Sequence, residues 1–179
     1  MTDDSRLLAA LAVIQARGAI GERSLIDAVE HADRFVELIP AAADSVVDLG
    51  SGGGLPALVI AWRRRDVRVT MIERRATRAD LLRRAVISLE LGERTEVRNV
   101  DAAAACEDSP KSFDVVTARS FGDVRTTTGF TDRLLGDGGI ALISEPPTDR
   151  SPLWTSVLDD FPGLVDSGVY QGIRRLTRP

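Results

Sequence analysis

Between residues 46 and 178, short apolar runs alternate with segments of helical spacing, and this alternation limits the chain to few architectures. Val46-Val-Asp-Leu49 is a short apolar strand, followed by a glycine-rich loop and a helix over 56–64. Strands over 68–73, 95–100, 113–118 and 140–144 follow, with helices over 77–91, 124–135 and 153–159 between or after them. Residues 164–170 and 173–178 read as two further strands joined at Gln171-Gly172. Strands separated by helices form βαβ units, so the expected sheet is mostly parallel and covered on both faces. A terminal hairpin adds an antiparallel edge. The spacing therefore predicts one doubly wound α/β domain over 41–179, a single compact unit.

A shorter helical extension precedes it over 1–40. Leu7, Leu8, Leu11 and Ile14 recur at helical spacing until Gly18 and Gly21. Ser24 then precedes a second run, Leu25, Val29, Ala32, Val36 and Ile39, with Asp27 placed as in a capping box. At 179 residues the chain is long enough for one sizeable core.

Composition excludes several function classes. The formal charge is −4, which rules out a wholly basic coat for nucleic acid while leaving room for a local basic patch. Cys106 is the only cysteine and His31 the only histidine, so disulfide frameworks and multi-histidine or cysteine metal sites are excluded, and no metal is expected. The acidic start lacks the basic region of a signal peptide, and no apolar run reaches the ~20 residues of a membrane span. The expected location is the cytoplasm.

The informative segment is Asp48-Leu-Gly50-Ser-Gly52-Gly-Gly54-Leu-Pro56, at the carboxyl end of the first predicted strand. Ligands of open α/β sheets bind there. Glycines let the backbone approach a ligand, and the helix that follows offers free N–H groups to an anion. A nucleoside-triphosphate loop needs a lysine that this segment lacks. A dinucleotide fingerprint counted from Gly50 puts Leu55 where a small residue must pack. A carboxylate ahead of the glycines, as Asp48 is here, resembles class I methyltransferases of Rossmann-like fold. That resemblance spans all the sheet segments and implies S-adenosyl-L-methionine as cofactor. Glu73, ending the second strand, suits ribose hydroxyls, or else pairs with Arg74 or Arg75. Asp101, past the third strand, suits an adenine amino group read beside Val100 and Ala102, or else caps the Ala-rich turn that follows it.

Gly50-Ser-Gly-Gly-Gly-Leu-Pro56 is more specific still. With Phe113-Asp-Val-Val-Thr-Ala-Arg119-Ser-Phe121, Asn99-Val-Asp101, His31 and the ending Ile173-Arg-Arg-Leu-Thr-Arg178, it resembles the glucose-inhibited division protein B family over about residues 22–178. That family methylates N7 of a guanine in small-subunit ribosomal RNA, so the resemblance implies a ribosomal RNA or small-subunit partner. The family usually carries lysines where this chain has Thr77 and Ser144, and Glu145 adds an acid beside the second site.

The resulting cofactor set is Asp48, Gly50, Ser51, Gly52, Gly54, Leu55, Pro56, Glu73, Arg74, Val100, Asp101, Ala102 and Arg119. Arg119 is also the expected catalytic residue, contacting the cofactor carboxylate or a target phosphate, with pairing to Asp48 or Asp123 as the alternative. Guanine N7 carries a lone pair and no proton, so in-line transfer needs positioning rather than a general base. Arg63-Arg-Arg65 with Arg74, Arg75, Arg78, Arg83 and Arg84 forms the basic concentration, either a phosphate track or a solvated face balanced by Asp66, Asp80 and Glu90. Two other functions stay open: a methyltransferase for a small molecule or protein, and a non-catalytic interaction protein keeping the fold.

Overall fold

An all-atom computed structural model describes residues 4–22 and 24–179. The acidic opening over residues 1–3 lies outside the described residues. Helices α1 (Ser5–Ala16) and α2 (Leu25–Leu38) lead into β1 (Ser45–Leu49), α3 (Ala57–Arg63), β2 (Arg68–Ile72), α4 (Ala76–Ser88) and β3 (Thr95–Arg98). Then come α5 (Ala102–Asp108), β4 (Phe113–Ala118), α6 (Val124–Leu134), β5 (Leu135–Ser144), α7 (Ser151–Leu158), β6 (Val165–Tyr170) and β7 (Ile173–Thr177).

The strands form one sheet in the order β3-β2-β1-β4-β5-β7-β6. The five strands β3 to β5 are parallel, and β7 pairs antiparallel with both β5 and β6. The order reverses between β1 and β4, the place where such sheets open a crevice. The register makes that crevice specific. Leu49 stands opposite Ile72 on one side and Ala118 on the other. Gly50, Glu73 and Arg119 therefore leave three adjacent strands side by side.

Alternation along each strand sends side chains to two cores. Val46, Val69, Met71, Val115, Ile140 and Leu142 face α1 to α4, while Val47, Leu49, Ile72, Val116, Ala118, Ala141 and Ile143 face α5 to α7. Both N-terminal helices belong to the first core: Leu7, Leu11 and Ile14 of α1 and Ala28, Val29, Ala32 and Phe35 of α2 are buried there. Burying Phe35 alone stabilises by about 1.5–3 kcal/mol. Polar ties add to this packing. Arg63 of α3 binds Asp33 at 2.9 Å and also Asp4, and Ser24 caps α2 by accepting the Asp27 N–H.

Three local differences from the sequence reading have physical causes. The Ala-rich segment after Asp101 is a helix rather than a turn, because Ala102, Ala105 and Cys106 bury against the second core. Helix α4 stops before Gly92: Glu90 adopts φ 56°, and the Leu91 and Glu90 N–H groups close back onto Val86 and Ile87 as in a Schellman cap. Strand β5 begins at Leu135 rather than 140, since Leu135 pairs with Phe113 ahead of an irregularity that absorbs Gly136 to Gly139. Among the described residues, no helix is long and apolar enough to cross a membrane.

Candidate functional site

The loop after β1 is held from both sides. Its Ser51 N–H donates to the Ile72 carbonyl at 2.9 Å, and the Gly54 N–H to the Ser51 carbonyl at 2.7 Å. Gly50, Gly52 and Gly54 have φ of 66°, 54° and 87°, a region that L side chains adopt with strain. At Gly50 space is also lacking, because a Cβ would lie 2.6 Å from Cδ2 of Phe121. The Leu55–Pro56 peptide is cis.

Glu73 is 5% exposed. One carboxylate oxygen accepts the Gly52 N–H at 2.9 Å and the other accepts the Arg75 N–H at 2.8 Å. The pairing with an Arg74 or Arg75 guanidinium, left open by the sequence, is replaced by these backbone bonds. Asp101 does cap α5, accepting the Ala104 N–H through Oδ1 at 2.8 Å, and it also lines a cavity. The cap engages Oδ1, so capping and a place on the cavity wall occur together.

Asp48 lies beneath the loop. The Thr117 hydroxyl donates to its Oδ1 at 2.6 Å, whereas its Oδ2 is buried without a hydrogen-bond partner. Burial pushes this carboxyl up to about 6, against the pull of Thr117, Ser51 and the Arg119 charge.

Three cavities meet along the carboxyl edge of the sheet. One of about 450 Å³ is lined by Glu73, Arg74, Val100, Asp101 and Ala102, with Ile72 and Phe130 as apolar walls. A second, of about 280 Å³, runs over Gly50, Ser51, Gly52 and Leu55 to Arg119. The third, of about 490 Å³, is bounded by His31, Arg119, Phe121, Ser144, Glu145 and Trp154. Ser120 lines all three. Of the residues expected from sequence, Asp48, Gly54 and Pro56 are on none of these walls; they shape the loop from behind. At Gly54 a Cβ would come within 2.4 Å of Leu58 and 3.0 Å of Leu82.

The first two cavities fit S-adenosylmethionine. A slot with Ile72 and Phe130 as apolar walls and two carboxylates on its lining suits an adenosine, and the glycine backbone beside Arg119 suits an amino-acid end. The orphaned Asp48 Oδ2 provides negative charge under the loop, where a cationic ligand gains by it. Among the described residues, no cluster of His, Cys, Asp or Glu is arranged to hold a metal ion.

Residues outside the expected cofactor set also shape the site. Ser120 holds the junction at φ 53°, and nothing in its sequence context announces a left-handed serine. Ala19 and Ile20 cover the glycine loop: a Cβ on Gly53 would meet Ile20 Cγ1 at 2.3 Å and the Ala19 carbonyl at 2.7 Å. In the third cavity His31 Nε2 lies 3.4 Å from Ser144 Oγ. Glu145 does not make this rim acidic, since Arg174 and Arg150 bind its two oxygens at 2.9 and 2.8 Å. Cys106 is buried, and desolvation raises its thiol pKa.

Known proteins resemble this chain in sequence and in fold. The GidB family model, described as rRNA small subunit methyltransferase G, matches residues 9–146. The ribosomal RNA small subunit methyltransferase G of Acidiphilium cryptum is 30% identical over 159 residues, 86% of this chain and 69% of that protein. Its namesake in Neisseria meningitidis serogroup C is 33% identical over 113 residues, 62% of this chain and 53% of that protein. Cofactor-bound Rv0187 from MTB superposes with a TM-score of 0.74 at 18% identity, over 98% of this chain and 90% of that one. A methyltransferase from Geobacter sulfurreducens gives 0.69 at 16% identity, over 100% and 92%. The structural likenesses establish the fold, and the sequence matches establish the lineage: the chain belongs to the rRNA small subunit methyltransferase G family.

Proposed function

We propose that this protein is an S-adenosylmethionine-dependent methyltransferase that methylates N7 of a guanine in small-subunit ribosomal RNA. The observation that carries the reading is the meeting of the three cavities at Ser120. A slot suited to the cofactor there opens onto a separate chamber of about 490 Å³, large enough for a base. The names of its relatives support ribosomal RNA as the source of that base.

In this reading Glu73 and Asp101 accept the ribose and adenine donors, the glycine-loop backbone and Arg119 hold the amino-acid end, and Asp48 stabilises positive charge from below. When bound, the cofactor supplies a methyl group on a sulfonium, an electrophile open to in-line displacement. The chain contributes orientation and exclusion of water. Guanine N7 has no proton to lose, so no side chain needs to act as a base. Arg119 lines both the loop cavity and the base chamber, where it fixes one partner relative to the other.

The test is incubation of purified protein with methyl-labelled cofactor and unmethylated small subunits, followed by nucleoside analysis. Label in 7-methylguanosine is expected. Label in another nucleoside, or none, overturns the assignment.

A further inference from the structure

The sequence groups its arginines into one basic concentration, but the structure divides them. Arg63 is tied to Asp4 and Asp33, Arg64 to Asp66 at 2.8 Å, and Arg65 stacks over the Trp62 ring at 4.9 Å. Arg83 binds Asp80 at 2.8 Å, and Glu90 is taken by Arg6 at 3.0 Å. The acids that would balance a solvated face are thus engaged by Arg64, Arg83 and Arg6.

Of that concentration Arg74, Arg75, Arg78 and Arg84 remain; Arg74 lines the slot beside Glu73, and Arg17 joins the other three to make a group of four. None of the four makes an ion pair with a described carboxylate, and together they line one cleft of about 510 Å³ beside the start of α4. Among the described residues its one acid is Asp80, whose charge Arg83 already offsets. Four guanidinium groups around one cleft repel one another, and an anion relieves that repulsion. Guanidinium groups bind phosphate bidentately. Among the described residues no aromatic side chain lines the cleft, so they offer nothing on which a base would stack. Its position is equally specific. Arg75 and Arg78 also line the slot assigned to the adenosine, and Arg78 reaches the loop cavity.

We propose that this cleft binds the phosphate backbone of the RNA substrate, seating the strand beside the mouth of the cofactor site. The inference rests on the ribosomal RNA reading and adds where the strand is gripped. Thr77, where the resembled family carries a lysine, lines the same cleft as these arginines. Contacts of this kind are independent of sequence and sensitive to salt.

The experiment compares binding of small-subunit ribosomal RNA at several salt concentrations by the full chain and by R17A/R84A. Both residues are exposed and lie outside the three cavities of the candidate site. R125A/R133A removes the same charge from α6 and serves as control. Losing two phosphate contacts lowers the slope of log affinity against log salt by about 1.4–1.8. The R17A/R84A protein is expected to show that drop, with a raised KM for RNA, an unchanged kcat and unchanged cofactor affinity by calorimetry. R17K/R84K is expected to keep the slope, and the α6 control to match wild type. If wild type binds and methylates the RNA while R17A/R84A keeps its slope and KM, the cleft assignment falls and the RNA reading stands. If wild type does neither, the RNA reading falls and takes the cleft with it.

Discussion

The Glu73 carboxylate accepts the backbone N–H of Gly52 at 2.9 Å, which joins the end of β2 to the loop that follows β1. Its second oxygen accepts the Arg75 N–H at 2.8 Å, and the residue still lines the slot beside it. One nearly buried carboxylate thus sets the loop and forms a wall of the cavity the loop creates. In water neither bond would be worth much. Here the acceptor is charged and shielded, and such bonds contribute about 1.5–3 kcal/mol.

Glu73→Ala is accordingly expected to lower stability by about 2 kcal/mol and to weaken cofactor binding at least tenfold. Urea unfolding and calorimetry measure the two effects. Glu73→Gln keeps one acceptor but turns an amide donor toward an N–H, so it should lose most of both.

Asp48 gives a pH signature. Its carboxyl titrates near 3.8 when unfolded and near 6 when folded. Between those values the folded state binds the extra proton, so this contribution is fully present below pH 3.8 and is lost as pH rises through 6. The loss amounts to about 3 kcal/mol. Ligand-free Asp48→Asn is expected to unfold at higher denaturant than wild type at pH 8, with the gap closing toward pH 4. It should also bind cofactor more weakly, which separates a built-in strain from a packing defect.

Gly53 tests the cover formed by Ala19 and Ile20. A methyl group there meets the Ala19 carbonyl at 2.7 Å, a backbone atom that cannot swing aside. Gly53→Ala is expected to displace residues 18–21, making that segment sensitive to limited proteolysis, and to reduce cofactor affinity. The overall fold, read by circular dichroism, should persist.

Glu145 anchors a buried charge cluster with Arg174, which is 3% exposed, also binds Asp166 and lies over the Trp154 ring at 5.1 Å. Removing one partner of such a cluster costs about 3–5 kcal/mol. Glu145→Ala should fall in that range by chemical denaturation, whereas the exposed pair Arg125–Asp160 should yield under about 1 kcal/mol.

Much of the site was legible because it is local. Glycines that need positive φ, a strand that ends in Glu73 and a carboxylate that can cap α5 are all written within a few residues of one another. Ser120 at the junction, Phe121 against Gly50 and Ile20 over Gly53 were not, since each acts through a contact made across the fold. Asp48 leads into the glycine loop in the sequence, yet its place beneath the wall follows from the pairing of β1 with β4.

The sequence by itself determined the alternation of strands and helices, the parallel sheet with its terminal hairpin, and the glycine loop at the first crossover. These depend on periodicity and backbone freedom, which short segments carry alone. Only the tertiary structure decided which arginines are neutralised. Arg63 and Arg64 sit near carboxylates brought in by the N-terminal helices and the next turn, while Arg17 at the end of α1 and Arg84 on α4 line one cleft and pair with no described carboxylate. Charge pairing depends on distance in space, and residues 67 positions apart in the chain, by 84 − 17, acquire that distance only when the chain has folded.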